Sequence, residues 1–75
     1  MRCHAYIYRK EELRFYEILG RYPTSAETLA LGSVVSEFVF EDLPEDIALA
    51  LKLSLNIYLE EIGEERYNNL LYPYI

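Results

Sequence analysis

Cys3 and His4 are neighbours, and each is the only residue of its type in the 75-residue chain. Together they could hint at a zinc ligand pair or at a thiolate activated by imidazole. Zinc needs about four nitrogen, sulfur or carboxylate ligands at suitable spacing, and nothing else in the chain resembles the other half of such a site. The alternation of "CHAYIYR", Cys3 to Arg9, is that of a strand, on which adjacent side chains point to opposite faces. A Cys–His nucleophile cannot be built that way. The expectation is a small core cysteine and a surface histidine.

Carboxylates gather in two groups: Glu41, Asp42, Glu45 and Asp46, and then Glu60, Glu61, Glu64 and Glu65. Such oxygen-rich groups could take a hard cation. The first lacks the alternating ligands and central glycine of a calcium loop, and its place at a helix start explains it through the helix dipole. The second reads as a solvated face. A glutamate pair working as general acid and base would need one buried member, and no spacing here requires one.

Arg9, Lys10, Arg14 and Arg21 form a possible basic strip with Tyr6, Tyr8 and Tyr16 close by in sequence. Arginine interleaved with tyrosine can hold single-stranded nucleic acid by stacking. Glu11, Glu12 and Glu17 share the segment, however, and Glu17 with Arg21 has the favourable order for a helical ion pair. The segment "TSAETLALGSVVSEF" faintly resembles a helix-turn-helix in pattern. Residues 22–51 nevertheless hold no Arg, Asn or Gln and no lysine, so base edges would go unread. The three glycines stand apart, with no phosphate-binding loop. No cofactor, metal or catalytic residue is expected, and the chain reads as a non-enzyme.

The elements that would position these residues follow from periodicity. Cys3–Arg9 is a strand. In "KEELRFYEILGRY", Phe15, Ile18, Leu19 and Tyr22 repeat at helical spacing, with Gly20 and Pro23 as stops. "PTSAETLALG" suggests a second helix, because Thr24 and Glu27 have capping-box spacing. "SVVSEFVFE" alternates as a strand. From Pro44 to Ile62, helix formers dominate and Gly63 supplies a stop, so one long helix is expected. It would be apolar on two sides, with Leu49, Leu53 and Ile57 forming a second stripe. The tail places Tyr67, Leu70, Leu71 and Tyr74 on one helical face.

The expected fold is thus α+β, one small domain over residues 1–75, in the order β-α-α-β-α-α. Two strands would pack on the long C-terminal-half helix. So thin a sheet leaves open edges, and a two-sided helix needs cover. Both features point to completion by a homodimer, with Leu49, Leu53, Ile57, Tyr72 and Tyr74 at the interface. A terminal helix folding back over the second stripe is the rival solution.

Composition bounds the function. About half the residues are apolar, and eight are tyrosine with no tryptophan. The formal net charge is −6, which repels nucleic acid phosphates at long range. Residues 1–22 carry five of the seven basic side chains, while residues 23–75 carry ten of the thirteen acids. This asymmetry suits a partner with a basic surface, steered by an acidic rim of Glu41, Asp42, Glu45, Asp46, Glu60 and Glu61. One cysteine suits a reducing cytoplasm, and no apolar stretch is long enough for a membrane span. The expectation is a protein–protein interaction module acting by surface occupancy. A virus- or phage-encoded inhibitor of a nucleic-acid-handling enzyme is one concrete form, with carboxylates standing in for phosphates. The alternative is a small nucleic-acid-associated regulator binding through its basic N-terminal half.

Overall fold

The computed structural model describes residues 1–72. Its first strand, β1, runs Cys3–Tyr8. Alternation sends Cys3, Ala5 and Ile7 into the core, where all three are fully buried, and turns His4, Tyr6 and Tyr8 to the opposite face. A single 3-10 turn, Arg9–Glu11, leads into helix α1, Glu12–Leu19. Phe15 and Leu19 are its buried anchors. Gly20 ends it with φ +81°, its N–H donating to the Tyr16 carbonyl at 2.9 Å. A left-handed residue at this point is where glycine is preferred. Tyr22 lies beyond the helix and is exposed.

The expected second helix does not form. The capping box itself does: the Glu27 N–H donates to Thr24 Oγ1 at 3.3 Å, and the Thr24 N–H donates to Glu27 Oε1 at 2.8 Å. It closes one turn, and the chain then extends as strand β2, Thr28–Leu31. The seven residues between the Thr24 cap and Gly32 are too few for a helix that is stable on its own. As a strand they pair with β3, Val35–Phe40, and bury Leu29.

The long helix expected over residues 44–62 is two elements. Helix α2 covers Glu45–Ser54 behind Pro44, with Glu45 and Asp46 in its first turn. Leu55 is already extended (φ −126°, ψ 156°), and strand β4 follows as Ile57–Glu61. The strong helix formers are concentrated before Ser54. Ile57 and Tyr58 prefer strands, and the free edge of β1 supplies partners for their backbone groups. Helix α3, Glu64–Leu71, closes the described chain.

The sheet order is β2-β3-β1-β4, antiparallel throughout. The order β-α-β-β-α-β therefore builds an interlocked split β-α-β arrangement, with a third helix appended. The class is α+β, as expected, but with four strands where two were expected. Helices α1 and α2 cover one face. The main core there joins Cys3, Ala5, Ile7, Phe38 and Phe40 to Phe15, Leu19, Ala48 and Leu51. A smaller cluster forms on the other face, where Leu29, Val39 and Ile62 meet Tyr67, Leu70 and Leu71. The terminal helix does fold back, but onto this face and not onto Leu49 or Leu53.

Candidate binding site on the open sheet face

Helix α3 covers only part of the second face. Register defines what remains. His4 lies between Val39 and Glu60, Tyr6 lies between Glu37 and Tyr58, and Tyr8 pairs with Val35. Three tyrosines from two adjacent strands thus stand side by side in solvent. Tyr6 is 40% exposed, Tyr8 39% and Tyr58 51%. Between them and the strand ends is a hollow of about 270 Å³ lined by Tyr6, Tyr8, Val35, Asn56, Ile57 and Tyr58. Among the described residues, no lysine or arginine lines it.

The rings are held by their neighbours. Tyr6 and Tyr58 have centroids 5.8 Å apart at an interplanar angle of 51°. His4 and Tyr6 are 4.9 Å apart at 55°. The Tyr58 hydroxyl donates to Glu60 Oε2 at 2.6 Å, and that hydrogen bond holds its phenol pKa above the ordinary value. The Glu37 carboxylate beside the Tyr6 hydroxyl does the same for Tyr6. Glu37 also meets His4, whose Nε2 lies 2.6 Å from Glu37 Oε2.

His4 is therefore not the surface residue expected from alternation. It is 2% exposed, roofed by the Tyr6 ring and Glu37, and its Nδ1 has no hydrogen-bond partner. Cys3 is the core residue expected. Burial pushes its thiol up to about 11, which leaves it protonated and inert at neutral pH. Among the described residues, no three histidine, cysteine or carboxylate side chains converge to hold a metal ion.

The expected interface stripe does not exist as one surface. Leu49 and Leu53 are on α2, exposed by 58% and 78%. Ile57 is on β4, packed against the main core and forming one wall of the hollow. Tyr72 is exposed beyond α3, and Tyr74 lies outside the described residues. The three stripe residues share a face only if one helix runs through residue 57, and the chain leaves the helix at Leu55.

The strand registers place the acidic residues at one end of the sheet. Cys3 is paired on one side with Phe40 and on the other with Glu61. Glu41 and Asp42, with Glu45 and Asp46 at the start of α2, therefore emerge at the same end of the sheet as Glu60 and Glu61. All six are exposed. Two of the four residues of the basic strip are ion-paired within the chain. Arg9 Nε lies 3.0 Å from Glu12 Oε2. Arg21 holds Glu27 with two bonds of 2.7 and 2.8 Å, in place of the expected Glu17 pairing. That bidentate contact lowers the Glu27 pKa. Lys10 sits over the Tyr8 ring, 5.8 Å from its centroid, and Arg14 is exposed on α1.

Tyr6 and Tyr8 were legible as surface candidates from the alternation of β1. Tyr58 was assigned to a helix face, although the alternation of Ile57–Glu61 carried the correct signal. Asn56 had no signal in sequence. Among the described residues no helix is long and apolar enough to cross a membrane. Comparison of the chain with protein-family models, with curated proteins and with solved structures finds no match.

Proposed function

We propose that the protein is a non-enzymatic binding module that engages a basic partner protein through the uncovered half of its sheet. The observation that carries this reading is the juxtaposition of Tyr6, Tyr8 and Tyr58 with the carboxylates of Glu37 and Glu60 on one solvent-facing surface. Tyrosine supplies rigid contact area with a polar tip, and interfaces favour it. The mechanism is occupancy. Apolar contact at the tyrosines gives affinity, and the acidic end of the sheet steers a cationic surface toward it. A nucleic-acid-handling enzyme presents such a surface in its phosphate-binding groove, and a virus- or phage-type inhibitor working in the cytoplasm is the concrete form this takes. The exposed Leu49 and Leu53 on α2 favour a second copy of the chain as a further partner, which light scattering reads directly as a doubled mass.

The test is capture of purified basic nucleic-acid enzymes by the immobilised chain. Loss of capture by a Tyr6→Ala/Tyr58→Ala double variant, with capture retained by Leu53→Glu, fits the reading. Capture that ignores the tyrosines refutes it.

A second reading has its own observation. A four-stranded sheet with exposed aromatic residues is a surface on which bases stack, and Lys10 stands beside Tyr8. Binding of single-stranded oligonucleotides that falls steeply with salt distinguishes this reading from the first.

A further inference from the structure

We infer that the hollow between Tyr6, Tyr8 and Tyr58 is a receptor for one cationic side chain, a lysine or arginine from a basic segment of the partner. The inference rests on the reading above and names the contact at its centre. Its ground is the chemistry of the walls. Three of the six lining residues are tyrosines, and the Tyr6 and Tyr58 rings meet at 51°, so they form a corner and not a closed stack. The negative face of an aromatic ring attracts ammonium and guanidinium groups. Tyr8 already does so within the chain, with the Lys10 ammonium 5.8 Å from its centroid.

The charges at the walls favour a cation over the other occupants. The Tyr58 hydroxyl is bonded to the Glu60 carboxylate, and the Tyr6 hydroxyl faces Glu37. Both carboxylates place negative charge at the rim, and the Arg66 guanidinium near the two hydroxyls offsets only part of it. A phosphate entering there meets two carboxylates. A purely apolar side chain would strip water from them and return nothing. A lysine or arginine suits these walls: its methylene stem lies along Val35, as long cationic side chains do on apolar surface, while the head reaches the rings and the carboxylates. The volume agrees. At about 270 Å³ the hollow is below the roughly 300–1,000 Å³ of sites that enclose whole small ligands.

The experiment is fluorescence polarisation with a labelled oligolysine peptide at low ionic strength, alongside the same peptide with every lysine acetylated. The oligolysine binds and the acetylated form does not. Tyr6→Ala and Tyr58→Ala each weaken binding roughly two- to fivefold, the worth of one exposed cation–ring contact. Tyr58→Phe, which keeps the ring, retains most of the affinity, and Lys10→Gln, which removes a competing cation at Tyr8, tightens binding. A Glu41→Gln/Asp42→Asn variant, altered at the acidic end away from the hollow, loses less affinity than Tyr58→Ala. Circular dichroism confirms that each variant is folded.

Three results overturn the inference in different ways. Binding that survives both alanine variants but falls with Glu41→Gln/Asp42→Asn assigns recognition to diffuse charge; it sinks the hollow and leaves the basic-partner reading standing. Equal binding of the acetylated peptide shows an apolar site and sinks the cation receptor. An absence of oligolysine binding by the unmodified chain sinks the inference and the reading beneath it together.

Discussion

Leu51 and Leu53 are two positions apart, and they separate the observed structure from its nearest alternative. On a strand they would share a face. On α2 they are about 200° apart, and the exposures follow: 0% for Leu51 and 78% for Leu53. Truncating a fully buried leucine to alanine costs about 2–5 kcal/mol, because the cavity adds to the lost transfer energy. The whole folding free energy of a chain this size is only about 4–11 kcal/mol. Leu51→Ala should therefore lose a large part of the stability, and with a urea slope near 1 kcal/mol/M its midpoint drops by about 2 M or more. Leu53→Ala should stay within about 0.5 kcal/mol, and Leu53→Glu should remain folded. The assay is urea unfolding followed by circular dichroism. Comparable losses at the two positions would refute the helix over Glu45–Ser54 and with it the division of this segment into helix and strand.

Other outcomes follow from particular contacts. Tyr16 donates to Glu12 Oε1 at 2.7 Å; burial first, then that bond, raises its phenol to about 12. The folded state thus holds this proton more tightly than the unfolded chain, so its contribution is complete below pH 10 and disappears between about 10 and 12. Tyr16→Phe should flatten the alkaline fall in melting temperature. Glu27 behaves in the opposite sense. Its pKa is lowered by Arg21, so the contact stabilises the fold above the ordinary carboxylate pKa and is lost as pH falls through the depressed value. Glu27→Gln should destabilise by about 1 kcal/mol at neutral pH and match the parent chain in strong acid. Cys3, fully buried and with its thiol pushed up to about 11, should react with a thiol reagent only as fast as the chain opens. Gly20→Ala should cost about 1 kcal/mol in thermal unfolding, because φ is +81°.

Where one local signal ruled, the fold was legible in the sequence. The alternation of Cys3–Arg9, the helical spacing from Phe15 to Leu19 with its glycine stop, the aromatic strand ending at Phe40 and the Pro44 helix start all stand in the structure. The failures share a cause. Thr24 with Glu27 carries a real cap but too short a run behind it, and the run from Asn56 to Glu61 was joined to the helix formers before it; in both places strand pairing decided the state. Ile57–Glu61 becomes a strand because β1 has a free edge, and no window of sequence displays that edge. The site was hidden for the same reason. Tyr6 and Tyr8 were visible as outward residues of a strand, but Tyr58 joins them only through the β1–β4 register. His4 is buried by Glu37, 33 residues away. The strand pairing, and no local signal, brings acidic groups separated by nearly twenty residues to one end of the sheet.

The open face is tested most directly by assigning the tyrosine ring protons and titrating the chain with a basic protein that it binds. The account predicts that Tyr6, Tyr8 and Tyr58 shift together, while Tyr16, Tyr22, Tyr67 and Tyr72 stay in place. Shifts centred on Tyr16 and Tyr22, or on Tyr67 and Tyr72 with the three sheet tyrosines silent, would contradict it.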